Sequence, residues 1–118
     1  MKLEHLAKEL AAHIVHRSTT FDQASVESVM ASDLMSDVLV TDRGNLLLVT
    51  SLASDQAVRT ADIVGAVGVL VVNDKTLPAP MKTLAADLDM ALLRVKLPTF
   101  ETCVRIGALL GPSADPAA

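Results

Sequence analysis

Aromatic residues are almost absent from this sequence of 118 residues, which has two phenylalanines and neither tryptophan nor tyrosine. Hydrophobic residues nevertheless make up 51% of the chain, so its core must be built from aliphatic side chains. Apolar runs of this kind are typical of parallel strands that are buried on both faces. The length suits one domain and is too short for two hydrophobic cores.

Cysteine is represented by Cys103 alone, which excludes an intramolecular disulfide and a cysteine-rich metal site. Long hydrophobic runs are also lacking. The longest, residues 63–72, falls far short of the roughly 20 residues that cross a bilayer. Glu4 and Glu9 interrupt the amino-terminal segment, where a signal peptide would need an unbroken apolar stretch. We therefore expect a cytoplasmic protein without a membrane segment.

Positive charge is in the minority, since 10 lysines and arginines face 14 acidic residues and the formal net charge is −4. A nucleic-acid surface needs clustered Lys and Arg, so none is expected. The histidines are His5, His13 and His16. None has the close Cys, Asp or Glu spacing of a zinc or iron site, and His13 and His16 fit the surface of an edge strand better. No metal and no cofactor is predicted.

Motifs of catalysis are missing as well. The sequence holds no G-x-x-x-x-G-K-[ST] phosphate loop and no G-x-S-x-G nucleophile elbow. We expect no enzymatic activity, although a small transferase or hydrolase without a known motif is a third alternative.

The first part of the chain predicts a short amphipathic helix that docks on the sheet, from Leu3 to Leu10, and two short strands over residues 12–16 and 26–31. Ser32 and Asp33 are good starting residues for a second helix. Residues 41–45 form a turn by composition.

From residue 46 onward strands and helices alternate, which predicts a layered α/β domain of βαβ type with a mainly parallel sheet. The predicted elements are a strand over 46–50, a helix from Ser54 to Gly65, a strand over 67–72, a helix with Pro80 in its first turn, a strand over 90–95, and a last helix marked by Phe100, Cys103, Val104 and Gly107. We predict one domain over residues 1–110 and a flexible tail over 111–118.

The order of these elements resembles the DRTGG-domain family, as do the strings A-S-D-L-M-S-D-V over residues 31–38 and L-P-T-F-E-T-C-V-R over 97–105. The same likeness is seen in Thr50-Ser51-Leu52 followed by Val58-Arg59-Thr60-Ala61. The resemblance covers nearly the whole chain. The resemblance implies a fold similar to the N-terminal domain of HPr kinase/phosphorylase and a regulatory role. Glu27, Ser28 and Val29 stand where the family has Thr-Gly-Gly, and Pro98 stands where relatives often have a serine helix cap.

Ligands of open parallel sheets bind beyond the carboxyl ends of the strands, where helix N-termini favour anions. Residues 50–55 could hold a phosphate or carboxylate through Thr50, Ser51 and Ser54, with Arg59 one turn further along the helix. The simpler interpretation is that Ser54 only caps that helix. Asn73 and Lys96 follow the next two strands and are further candidates, with a solvated loop as the simpler interpretation of each.

Asp33 is a candidate that the family resemblance supports. It stands four residues before Asp37, which would place both carboxylates on one helical face. Such a pair could bind a metal or share a proton, whereas at a helix start it could simply stabilise the helix dipole.

Two functions follow as hypotheses. The first is a stand-alone regulatory module that senses a nucleotide or phosphorylated metabolite and signals to a separately encoded enzyme. The alternative is an assembly module without a small ligand, which forms a homo-oligomer, a dimer or higher, or docks on a partner. The high apolar content of so small a chain favours an interface of this kind.

Overall fold

The computed structural model describes residues 1–111, so most of the tail predicted over 111–118 lies outside the described residues. Five helices and five strands occur in this part of the chain. In chain order they are α1 (Leu3–Glu9), β1 (His13–His16), β2 (Ser28–Ala31), α2 (Met35–Leu39), β3 (Leu46–Thr50), α3 (Asp55–Val64), β4 (Gly68–Val71), α4 (Ala79–Leu88), β5 (Leu92–Arg94) and α5 (Thr99–Leu110).

The strands form a single sheet in the order β1-β5-β4-β3-β2. The four strands from β2 to β5 are parallel to their neighbours. β1 pairs with β5 in the antiparallel direction, and His13 lies opposite Arg94. The predicted α/β class and the mainly parallel sheet are therefore confirmed.

Helices cover both faces of the sheet, which makes three layers. The α1 residues Leu3 and Leu6 and the α5 residue Ile106 pack with Leu47 on one face. Residues of α2, α3 and α4 pack with Leu48 on the other face. Because successive side chains of a strand point to opposite faces, a strand such as Leu46–Thr50, which is apolar up to Val49, supplies both cores at once. All five of its residues are buried.

The residues predicted to begin and end α3 and to begin α4 lie at those positions. The Ser54 hydroxyl accepts a hydrogen bond from the Gln56 N–H at the start of α3, which stabilises the helix by about 1 kcal/mol. Gly65 ends α3 with φ +72°, a conformation that glycine adopts without steric cost. Pro80 lies in the first turn of α4.

Two local expectations need correction. The helix predicted at Ser32 and Asp33 begins only at Met35, and no side chain caps it. Asp33 therefore precedes the helix and does not share a helical face with Asp37. The side chain of Asp33 bonds to the end of β3 instead, which holds this residue outside the helix.

The last helix is present as predicted, but the residues from which it was predicted are not the ones that it buries. Thr102 and Ile106 are buried, and Cys103 is half-buried. Phe100 and Val104 are 74% and 53% exposed.

Among residues 1–111, no helix combines the length and the apolar character that crossing a bilayer requires.

Candidate functional site

The parallel sheet brings most of the predicted site residues to one edge. Asp33 follows β2 by two residues, Thr50 ends β3, Asn73 follows β4, and Lys96 follows β5. Since these strands are neighbours and run in the same direction, their carboxyl ends lie side by side. We call this row the carboxyl edge.

Asp33 occupies the part of the carboxyl edge where the sequence predicted an anionic ligand. Its Oδ1 accepts a hydrogen bond from the Ser51 N–H at 2.7 Å and another from the Thr50 hydroxyl at 3.1 Å. These bonds lower the pKa of Asp33, and the bond from the Ser51 N–H has the largest effect. The positive charge of Lys75 lowers this pKa further. Two of the donors assigned to a ligand thus already hold a carboxylate of the protein itself.

Arg59 lies away from this edge. It contacts Asp55 one turn earlier in α3 at 3.5 Å, and it lines an open groove between α3 and α4 together with Thr83 and Asp87. The structure therefore does not bring Arg59 together with Ser51. Ser54 keeps the capping role described above.

Asn73 joins the end of β4 to the segment that follows β5. Its N–H donates to the Leu97 carbonyl oxygen at 2.8 Å, and its side-chain amide donates to the Thr99 hydroxyl at 3.2 Å. Asn73 and Asp74 have φ values of +70° and +53°, which asparagine and aspartate tolerate better than most residues. This turn fixes the position of Lys96 relative to β4.

Lys96 lines a cavity at the corner where β5, β1 and α5 meet. The cavity has a volume of about 280 Å³, and its lining residues are Leu10, Ala11, His13, Arg94, Val95, Lys96, Leu97 and Arg105. Four of these side chains carry nitrogen donors: His13, Arg94, Lys96 and Arg105. We call this space the cationic cavity. In residues 1–111 its guanidinium and ammonium groups form one ion pair, between Arg94 and Asp74 at 3.4 Å.

Three members of the cationic cavity were missed by the sequence analysis, namely His13, Arg94 and Arg105. His13 reaches this corner because β1 is antiparallel to β5, which places the beginning of β1 beside the carboxyl end of β5. Alternation in β1 could have indicated the exposed side of His13. The partner strand could not have been read from the sequence, because the two strands are far apart in the chain.

A second cavity lies at the opposite edge of the sheet and measures about 480 Å³. It is lined mainly by hydroxyl and amide side chains, with one carboxylate; these polar residues are Ser18, Thr20, Gln23, Ser25, Asn45 and Asp89. Asp89 accepts hydrogen bonds from the Thr19 hydroxyl at 2.6 Å and the Thr19 N–H at 3.1 Å. His16 Nε2 lies 3.0 Å from the same carboxylate.

These contacts, led by the Thr19 hydroxyl and followed by His16, lower the pKa of Asp89 to about 2. The Asp89 carboxylate joins the end of α4 to His16 of β1 and to Thr19, which follows that strand. In these contacts Asp89 stabilises the fold.

Among residues 1–111, no three His, Cys, Asp or Glu side chains lie close enough together to hold a metal ion. Comparison of the sequence with models of known protein families and with curated proteins finds no match.

Proposed function

We propose that this chain is a regulatory module that binds a nucleotide or phosphorylated metabolite, with the anionic group of the ligand in the cationic cavity. The proposal includes a DRTGG-type fold similar to the N-terminal domain of HPr kinase/phosphorylase. It involves no chemical step, and ligand occupancy would be transmitted to a separately encoded enzyme.

The observation that carries the proposal is the convergence of His13, Arg94, Lys96 and Arg105 on one cavity. Within residues 1–111, Arg94 has an acidic partner in Asp74, whereas Lys96 and Arg105 form no ion pair, although the net charge of the chain is −4. Their mutual repulsion would be relieved by a bound anion. Guanidinium groups recognise phosphate and carboxylate oxygens through paired N–H donors. A bound phosphate would therefore satisfy groups that otherwise face solvent.

Cavity size narrows the ligand class. A volume of about 280 Å³ is at the lower limit of ordinary small-molecule pockets, which start near about 300 Å³. The space suits a phosphate with part of a sugar better than a whole dinucleotide. The apolar wall formed by Leu10 and Leu97 offers a surface for the uncharged part of such a ligand.

The proposal is tested by isothermal titration calorimetry with pyrophosphate and with AMP. We expect Lys96→Ala to weaken binding about tenfold, the loss of one charge-assisted contact. Lys82→Ala is the matched control, since Lys82 is an exposed lysine on α4 that does not line the cavity. Added sodium chloride should weaken binding to the native chain, because partly exposed charges are screened.

Equal affinity of Lys96→Ala and Lys82→Ala would contradict the site, and absence of heat with both anions would contradict the ligand class.

Assembly is the second candidate function, and the specific observation that favours it is the exposure of Phe100 and Val104 on α5. Neither of these two residues lines the cationic cavity.

A further inference from the structure

One side of α5 is apolar although it faces solvent. Phe100 is 74% exposed and Val104 is 53% exposed, whereas Phe21, the other aromatic residue of the chain, is 1% exposed. Exposed large apolar residues on a small protein are informative when they are adjacent. Phe100 and Val104 are one helical turn apart and therefore lie next to each other.

The exposed side continues along the helix with small residues. Ala108 lies one turn beyond Val104, and Gly107 flanks it; both are exposed. The opposite side of the helix carries the buried Thr102 and Ile106. The exposed face thus has a large side chain at one end and almost no side chain at the other. We call the residues Phe100, Val104, Gly107 and Ala108 the α5 face.

Gly107 has no explanation within the described chain. Glycine is the poorest helix residue after proline, and a Cβ built at Gly107 would meet no atom within 4 Å. Neither a positive φ nor a close neighbour in residues 1–111 requires it. A glycine at such a position permits another chain to approach the helix closely.

We propose that the α5 face binds a second copy of this chain, with the two α5 helices antiparallel about a twofold axis near Val104. In this arrangement Phe100 of each copy packs over Gly107 and Ala108 of the other, and the two Val104 side chains meet at the centre. The face is self-complementary, as an isologous interface must be.

Charge supports the same arrangement. Glu101 and Arg105 are exposed and lie on one flank of the α5 face, because they follow Phe100 and Val104 in the helix. On this flank Arg105 also borders the cationic cavity. In an antiparallel helix pair, equivalent flanks face each other, so Glu101 of one copy lies near Arg105 of the other. A parallel pair would instead place this flank against the uncharged side that holds Cys103 and Gly107. The charges therefore favour a second copy in the antiparallel direction.

The interface is short. A helix of 12 residues is about 18 Å long, and contacts below about 1,200 Å² in total area are typical of weak association. We therefore expect a concentration-dependent dimer that is measured best between about 5 µM and about 500 µM protein.

Sedimentation equilibrium over that range tests the proposal. We expect the native chain to shift from monomer to dimer and Phe100→Asp to weaken dimerisation at least about 30-fold, because a buried unpaired charge opposes packing. Val40→Asp is the matched control: Val40 is 83% exposed, lies outside α5, and should leave dimerisation unchanged. Gly107→Leu keeps the monomer folded, since leucine favours helix, yet it should weaken the dimer by steric contact with Phe100.

The charge pair gives the most specific test. Glu101→Lys and Arg105→Glu should each weaken dimerisation, and the double variant should restore it. A native chain that stays monomeric throughout, a dimer insensitive to Phe100→Asp, or a double variant that remains weak would overturn the proposal. Pyrophosphate binding by Phe100→Asp and Glu101→Lys separates this result from the cationic cavity, because neither residue lines it, whereas Arg105 does and Arg105→Glu should weaken both dimerisation and anion binding.

Discussion

Asp33 joins the ends of two neighbouring strands with a single carboxylate oxygen. The residue follows β2, and its Oδ1 accepts hydrogen bonds from the Thr50 hydroxyl and the Ser51 N–H at the end of β3. An internal anion is thus held by the kind of donor set that phosphate-binding loops offer to a ligand. The ligand that we propose is assigned to the cationic cavity for this reason.

Replacing Asp33 by alanine should destabilise the fold. Hydrogen bonds to a charged group contribute about 1 to 2 kcal/mol when the group is partly exposed, so we expect the melting temperature to fall by about 3 to 8 °C. Thermal unfolding followed by circular dichroism at pH 7 measures the change. Asp37→Ala is the control, because Asp37 is exposed on α2 and its carboxylate forms no hydrogen bond within residues 1–111. Equal effects of the two variants would contradict this role of Asp33.

Asp89 should make stability depend on acid pH. Its pKa is lowered to about 2 by Thr19 and His16, below the value near 3.9 expected in an unfolded chain. A lowered pKa stabilises the native state above pH 4, and this contribution is lost as the pH falls from about 4 to about 2.

In Asp89→Asn we expect lower stability at pH 7 and a flatter decline between pH 4 and pH 2. Asparagine tolerates the positive φ of +53° at this position, so the variant removes the charge without straining the backbone. Urea unfolding at several pH values provides the measurement, with Asp87→Asn as control. If the free energy of unfolding of Asp89→Asn fell between pH 4 and pH 2 as steeply as that of the native chain, this carboxylate would not be the cause of the fall.

At the level of elements, the beginning of β4 at Gly68 lies close to Ala91, the residue before β5. A Cβ built on Gly68 would lie 3.3 Å from the Ala91 Cβ and 3.4 Å from the Ala91 carbonyl oxygen. Both neighbours belong to the backbone or to a side chain that cannot rotate away. A Cβ at Gly68 would therefore be crowded by Ala91.

Gly68→Ala should destabilise the protein by about 1 kcal/mol. Alanine lowers the conformational entropy of the unfolded chain, which stabilises the fold, but the destabilisation from overpacking is larger. Gly44→Ala should have little effect, since a Cβ there meets no atom within 4 Å. Chemical denaturation of both variants gives the comparison. A Gly68→Ala protein as stable as Gly44→Ala would show that the strands can move apart without cost.

The central elements could be predicted because their signals are local. These signals are the apolar run over residues 46–49, the Ser54 cap and the left-handed Gly65, and each acts within a few residues. The start of α2 and the partner of β1 could not be predicted, since both depend on residues far along the chain. The long-range bonds of Asp33 delay the helix, and β1 pairs with a strand near the other end of the chain.

For the whole molecule, the two edges of the sheet differ in charge. The cationic cavity lies at the carboxyl edge beside β5 and β1, and the hydroxyl-lined cavity with Asp89 lies at the opposite edge. Of the predicted site residues, Asp33, Thr50 and Ser51 are in contact, Asn73 positions the neighbouring turn, and Lys96 alone reaches the cationic cavity. The rest of that cavity forms only through the sheet order, which no short motif encodes.

Ligand binding in the cationic cavity is tested most directly by mapping the backbone amide shifts in ¹H–¹⁵N NMR spectra as AMP is added to the native chain. We predict that the perturbed amides cluster at His13, Arg94, Lys96 and Arg105, around the cationic cavity. Perturbations centred on Ser51 and Ser54 or on Asp89, or a spectrum that AMP does not change, would contradict it.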